Sequence, residues 1–518
     1  MSKFNSKKTS ATATVNLAGG SAYKESNKLA LASLLVTSFL TDKAYESEAQ
    51  ITKRLETLYS ALLNEDKSFF AKAAIYARDK FRLRSISHLA AAMVGEGVTS
   101  DKYSAEDKKW LSNFFNKIIF RGDDITEIIS AYGSRPGAYK VNDKIRLPQV
   151  MKNGFSKAIG NMDKYQIAKY KGEGNAVSFM DAVRLSHAKA TDKNREALAE
   201  LVAGTLKNTE TWEAKQAAAG KAQANKADGL TKEEAVKEAK QVAWSEFVAK
   251  GDKIEYMALL RNMRNIIQYA DEATIKDALE LVQKPELVAR SKQLPFRFLT
   301  ALNELRQYTS RRDVSEALQN ALELSVSNVP SFTGKTAILV DISGSMNCPC
   351  STIKGSSVAT VAGIFAAALF KKNDSDVVIF NSSAKTLSLN ARDSLATIAE
   401  QITGYVGGGT NMGAAFKELS KSYDRVIILS DMQTWMANYS SYSFCSAQST
   451  KDLFNSYAKR YNKDVRLYSF DLAGNGTLQF PERNVFTIAG LSEHTFEIMG
   501  KMEEDKQYMI HEIESIEL

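Results

Sequence analysis

A change of hydrophobic period near Pro330 constrains this chain more than any other feature. From Asn27 to about Ser327 apolar residues recur at helical spacing, in segments that short breaks separate. The spacing predicts helices over Leu29–Leu40, Ile51–Leu63, Phe69–Phe81, Ile86–Val94, Trp110–Phe120, Ala197–Leu206, Tyr256–Ile267 and Phe296–Tyr308. The few prolines there (Pro136, Pro148, Pro285, Pro295) fall where helices should begin or end. Helix after helix without strands points to a solenoid of HEAT-like repeats, although no repeat of fixed period is visible. Beyond Pro330 strands and helices alternate. Candidate strands are Ala337–Asp341, Asp376–Phe380, Arg425–Asp431, Val465–Asp471 and Val485–Ile488. The helices between and after them are Ser357–Lys371, Ala391–Ile402, Met412–Tyr423, Lys451–Tyr461 and Glu493–Met502. That order predicts a Rossmann-like, mostly parallel α/β sheet with ligands at the C-terminal edge of its strands.

The expected organisation is therefore multidomain: a polar, mobile tail over residues 1–26, an α-helical body over 27–330 and an α/β domain over 331–518. Within the body, residues 207–250 are dominated by Ala, Lys and Glu. They should form exposed helices peripheral to the core, of open role.

One edge of the expected sheet carries hard oxygen ligands. The strand entering Asp341 delivers Asp341, Ser343 and Ser345 at alternate positions. Thr410 follows the Gly407-Gly408-Gly409 run, and Asp431 ends a second apolar strand. Carboxylate and hydroxyl oxygens suit Mg²⁺ or another hard divalent cation rather than softer metals.

Charge divides the chain in the same place. Residues 331–518 hold 17 Lys and Arg against 20 Asp and Glu, a net of −3, which leaves 51 against 40, a net of +11, for residues 1–330. A basic helical body suits a polyanion, most simply nucleic acid, while a Lys-rich helix surface can also be only a solvated face. No apolar run is long enough to span a bilayer and the N-terminus has no apolar signal core, so the cytoplasm is the expected compartment and no membrane partner is expected. The three cysteines, Cys348, Cys350 and Cys445, lack a fourth ligand and the usual spacing of a zinc site.

Enzyme chemistry finds little support. A haloacid-dehalogenase phosphatase would need an acid at position 343, which is Ser. The Gly407–Gly413 stretch lacks the P-loop lysine. The four histidines (His88, His187, His494, His511) accompany no Gly-x-Ser-x-Gly elbow. The chain is expected not to be an enzyme.

The Asp-x-Ser-x-Ser loop with Thr410 and Asp431 resembles the von Willebrand factor A (vWA) domain and its metal-ion-dependent adhesion site. That resemblance assigns Asp341, Ser343, Ser345, Thr410 and Asp431 to the metal, some through water, with a partner's carboxylate completing the shell. Further motifs stand ahead of it: Ala73–Arg78 with Leu83–His88, Val183–Lys189, Met257–Ile266 and Leu294–Leu299. In this order before a vWA domain they resemble the TROVE module, and residues 27–510 resemble the Ro 60 kDa autoantigen family with its bacterial and phage relatives. The resemblance implies HEAT-like helices closed into a ring whose basic hole takes single-stranded 3′ ends of misfolded or precursor RNAs. It also implies small Y-like RNAs on the outer basic surface and a 3′ exoribonuclease as partner, around a chain expected to be a monomer. The RNA-binding residues expected are Arg84, His88, Arg184, His187, Lys189, Arg261 and Arg264, with Ala188 standing where the family often has proline. Each has a plainer reading as a helix cap or an inter-helix ion pair. The competing reading of the whole is a metal-dependent protein-interaction module on a partner-binding solenoid.

Overall fold

The computed structural model describes residues 13–16, 21–37, 47–170, 174–207, 212–219, 231–349, 356–434, 449–472, 477–478, 485–489, 501 and 507–518. Two compact units emerge: residues 1–62, 293–300 and 325–512 form one, and residues 63–292, 301–324 and 513–518 the other.

The first unit is built on strands β5 (Thr336–Asp341), β6 (Ser375–Phe380), β7 (Ala384–Leu387), β8 (Arg425–Ser430), β9 (Arg466–Asp471) and β11 (Val485–Ala489). They form a six-stranded sheet in the order β11-β9-β8-β5-β6-β7. All neighbours are parallel except β6 and β7. Every residue of β5 and β8 is buried, as continuous apolar strands covered on both faces require. Ala337 and Leu339 of β5 join Val426 and Ile428 of β8 in a core with Met412, Phe416, Leu453 and Phe454 from two helices. The helix Val358–Lys372, capped by Ser357, contacts β5 and is buried along most of its length. Because β6 and β8 flank β5, the chain reverses direction across the sheet between β5 and β8, where such folds bind ligands.

Two predicted features of this unit change. Part of the stretch expected to be a mobile tail is ordered: β1 (Ala13–Val15) and β2 (Ser21–Lys24) pair antiparallel, and β2 pairs with β10 (Thr477–Leu478). Composition missed them because the strand that anchors the pair lies hundreds of positions away. The helix expected over Glu493–Met502 lies outside the described residues apart from position 501, as do Cys350 and Cys445.

The second unit is mostly helical. Predicted helices appear at Lys67–Asp79, Ser85–Thr99, Asp107–Lys117, Arg195–Val202 and Tyr256–Tyr269, shifted by a few residues at their ends. Local capping sets several of these boundaries, as where Asp66 accepts from the Phe69 N–H. The expectation of a strand-free body fails at one hairpin, β3 (Lys140–Val141) with β4 (Lys144–Ile145). The Ala/Lys/Glu-rich segment also departs from its reading. Lys232–Val248 is helical, yet Trp244, Phe247 and Val248 are buried, so its C-terminal end belongs to the core.

No described helix is long and apolar enough to cross a membrane.

Candidate metal edge and basic helix ends

The C-terminal ends of β5 and β8 bring the predicted oxygen ligands together. Asp341, Ser343, Thr410 and Asp431 are buried to within 1% relative exposure, while Ser345 is half-buried and Gly344 exposed. Asp341 Oδ1 accepts the Ser343 N–H at 2.9 Å, and its Oδ2 accepts the Ser430 hydroxyl at 2.6 Å. The Ser343 and Ser345 hydroxyls lie 3.3 Å apart. Asp431 Oδ1 accepts the Gln433 N–H at 3.1 Å. Burial raises the Asp341 carboxyl above its ordinary value against the pull of the Ser343 and Ser430 hydrogen bonds. Burial, then the charge of Asp341, pushes the Asp431 carboxyl up to about 7, opposed by a hydrogen bond from Ser345. Two carboxylates thus share a dry pocket with hydroxyls.

The third segment is tied to this edge through its main chain. The Gly407 N–H donates to the Ile342 carbonyl at 2.8 Å, and the Gly344 N–H to the Gly408 carbonyl at 3.0 Å. Gly408 has φ +81°, and a Cβ there would stand 3.0 Å from Ser382 Oγ, so both conformation and space select glycine. Asn381 Nδ2 donates to the Gly407 carbonyl at 3.0 Å, and the Ser382 hydroxyl accepts the Gly409 N–H at 2.9 Å. Behind Thr410, the Thr434 hydroxyl donates to the Thr410 carbonyl at 3.0 Å and accepts the Met412 N–H at 3.2 Å. The carbonyl of Thr434 in turn accepts the side-chain amide of buried Asn16 at 2.7 Å. Met432, between Asp431 and this hub, holds φ +58°, a strained position for a non-glycine residue.

The donor set fits a hard dication. It offers two carboxylates and three hydroxyls, and a divalent charge would offset the repulsion that burial imposes on the acid pair. Among the described residues no group of three or more His, Cys, Asp or Glu converges, which argues against softer, all-protein metal cages.

The expected RNA-binding residues divide into two kinds. Arg184, His187 and Lys189 are all exposed around the end of the helix Phe179–Ser186, and none makes a side-chain ion pair among the described residues. His187 ends that helix in the left-handed conformation, φ 50°, its N–H donating to the Arg184 carbonyl at 3.3 Å. Arg261 is likewise exposed and free of ion pairs among the described residues, whereas Arg264 lies 3.8 Å from Glu304 and 4.6 Å from the Tyr308 ring. His88 and Arg84 depart from expectation. His88 is 4% exposed and its Nε2 lies 2.9 Å from Asp124, which Arg78 also grips bidentately at 2.9–3.1 Å. Arg84 is paired with Asp123 at 2.7 Å. A basic residue that completes a buried ion-pair cluster has no free face for a phosphate, so His88 is structural and Arg84 is largely committed.

Comparison with known proteins decides what these two regions belong to. The family model described as TROVE domain matches residues 13–243 and 231–338, and that described as Ro60 vWA domain matches residues 335–502. The chain belongs to the TROVE-domain Ro family. Among solved structures, the Ro (RSR) protein of Deinococcus radiodurans is similar at TM-score 0.61 and 16% identity, over 93% of this chain and 100% of that one. That likeness supports the fold. A point mutant of the PilB minor pilin from Streptococcus sanguinis matches at TM-score 0.21 and 13% identity, over 36% of this chain and 62% of the pilin. Among curated proteins none matches.

For a Ro-family chain the sequence motifs located the metal edge but not its supports. Ser430, Asn381, Ser382, Thr434 and Asn16 were not singled out. Only Ser430, beside Asp431 at a strand end, carried a local signal. The others act through loops and long-range hydrogen bonds.

Proposed function

We propose that the protein is an RNA-binding scaffold of the Ro type rather than an enzyme. The observation that carries the reading is a set of exposed cations, Arg184, His187, Lys189 and Arg261, without ion pairs among the described residues. They stand within a helical region of net +11 that matches the TROVE family model. Their guanidinium, imidazole and ammonium groups contact phosphates of small structured, Y-like RNAs. Single-stranded 3′ ends of misfolded or immature RNAs are the second class of ligand, with a 3′ exoribonuclease acting on what the scaffold presents. The setting is the cytoplasm and the chain acts as a monomer.

The vWA edge takes Mg²⁺ or a similar dication, with Asp341, Ser343, Ser345, Thr410 and Asp431 as the holding residues. When bound, the ion supplies a positive centre for an acidic protein ligand. Tyr405, 69% exposed beside the Gly407 loop, supports this second, protein-binding role.

The test is binding of a structured RNA with and without a single-stranded 3′ tail, across salt concentration. The reading expects tail-dependent affinity that falls steeply with salt. Arg184→Ala with Lys189→Ala should weaken binding and lower the salt slope by about 1.4 if both contact single-strand phosphates. Affinity indifferent to both tail and salt would remove it.

A further inference from the structure

The hairpin β3–β4 interrupts the helical unit without serving its core. Asn142 and Asp143 at its tip have φ 50° and 59°, the left-handed pair that a tight two-residue hairpin turn demands. The register sets Val141 opposite Lys144 and Lys140 opposite Ile145. The Arg146 N–H donates to the Tyr139 carbonyl at 2.8 Å, which extends the pairing by one residue. Side chains alternate across a two-stranded ribbon, so Tyr139, Val141, Lys144 and Arg146 share one face and Lys140 and Ile145 the other.

The two faces have different fates. Ile145 packs so closely over Gly133, in the helix Gly122–Gly133, that a Cβ at Gly133 would overlap it. The base of the ribbon is clamped as well. Glu96 accepts from Arg135 Nε at 2.6 Å and from the Gly137 N–H at 2.8 Å, and the Tyr132 hydroxyl accepts the Tyr139 N–H at 2.8 Å. The opposite face is open. Tyr139 is 50% and Val141 38% exposed, and Lys144 and Arg146 are exposed too. Among the described residues neither Lys144, Arg146 nor Lys140 makes an ion pair. A rigid ribbon therefore displays an aromatic ring, an aliphatic patch and two free cations on one side.

We propose that this face of the 139–146 hairpin is a binding element for single-stranded RNA, with Tyr139 stacking on a base and Lys144 and Arg146 holding the adjacent phosphates. It rests on the RNA-binding reading above and names a contact outside the residues that reading uses. Charge complementarity selects a polyanion: residues 139–146 carry Lys140, Lys144 and Arg146 against Asp143 alone. The ring selects a single strand, because a base must leave its stack to lie on tyrosine, and such stacking tolerates any base. The clamped base and fixed turn leave little conformational entropy to lose on binding.

The test follows a fluorescein-labelled oligouridylate by anisotropy on the full chain, with a blunt duplex of equal length beside it. Tyr139→Ser should weaken oligouridylate binding about ten-fold, while Tyr139→Phe, which keeps the ring, stays within about two-fold. Lys144→Ala with Arg146→Ala should lower the salt slope by about 1.4, the value for two single-strand phosphates. All three variants alter exposed side chains, so their thermal unfolding should match the parent. Unchanged affinity in both Tyr139→Ser and the double variant overturns the hairpin proposal while leaving RNA binding elsewhere intact. Equal losses for duplex and oligouridylate overturn stacking. Competition by poly-glutamate that depends on the hairpin cations but not on Tyr139 would reassign the face to an acidic protein. Failure of the parent chain to bind any RNA would instead remove the underlying RNA reading.

Discussion

Asp124 in the helical unit and Asp341 on the sheet edge are both completely buried, but their surroundings treat the charge in opposite ways. Asp124 lies beside Arg78 and His88, with Arg84 Nε at 3.6 Å, and its second oxygen also accepts the N–H groups of Phe120 and Arg121. Burial pushes its carboxyl up, but the His88 hydrogen bond and the Arg78 charge outweigh it and hold it well below the usual carboxylate range. Asp341 is met by serine hydroxyl and main-chain N–H donors, stands beside a second acid, and is raised. Among the described residues no Lys, Arg or His pairs with Asp341. One acid has its countercharges built into the fold. The other is arranged for a countercharge brought from solution, and that contrast separates a structural cluster from a binding site.

The contrast breaks most visibly under mutation. Asp124→Ala strands a buried guanidinium and should cost about 3–5 kcal/mol in the urea unfolding of the helical unit. Asp431→Asn, measured with EDTA present, should have the opposite sign and stabilise its unit by about 1–2 kcal/mol, because a buried like-charge pair is relieved. A destabilising Asp431→Asn under those conditions would mean the acid pair is already neutralised by the fold. A smaller effect probes the supports. Thr434→Val removes the hydroxyl that fixes the Thr410 carbonyl and should weaken divalent-ion affinity about ten-fold, with Thr434→Ser restoring it. Equal affinity in all three forms would detach Thr434 from the site.

The mildest prediction concerns pH. Glu25, buried at the end of β2, is pushed up to about 8 by burial and by the charge of Asp471, against the pull of Arg54. A carboxyl raised on folding contributes stability that is present below its unfolded value of about 4.3 and lost as pH rises through about 8. Asp124, lowered on folding, contributes above its unfolded value of about 3.9 and loses that only in stronger acid. Between pH 6 and 9, therefore, amide exchange at Ser21–Lys24 should quicken beyond its intrinsic pH dependence, while opening of Ser85–Thr99 should not change. Identical trends in both segments would contradict the assignment of Glu25.

How much of this could be read in advance follows range of interaction. β5 and β8 were legible because a strand buried on both faces writes itself as an uninterrupted apolar run, and their terminal acids mark the sheet edge. The helices were legible to within a few residues from their period. What stayed hidden depends on partners far away in the chain. His88 reads as one more basic residue until Asp124, 36 positions on, folds against it. Asn16 sits in a polar stretch with no local pattern, and only the carbonyl of Thr434, 418 positions later, gives it a place. The β3–β4 hairpin was too short to interrupt the helical period, although its Asn142-Asp143 pair was a turn signal in plain view.

The central claim, that the sheet edge lacks the built-in countercharge that the Asp124 cluster has, is tested most directly by calorimetric titration of Mg²⁺ into the EDTA-treated, dialysed full chain. The account predicts one ion bound per chain, binding lost in Asp341→Ala and retained in Thr434→Ser. No saturable binding by the parent chain, or binding that survives Asp341→Ala, would contradict it.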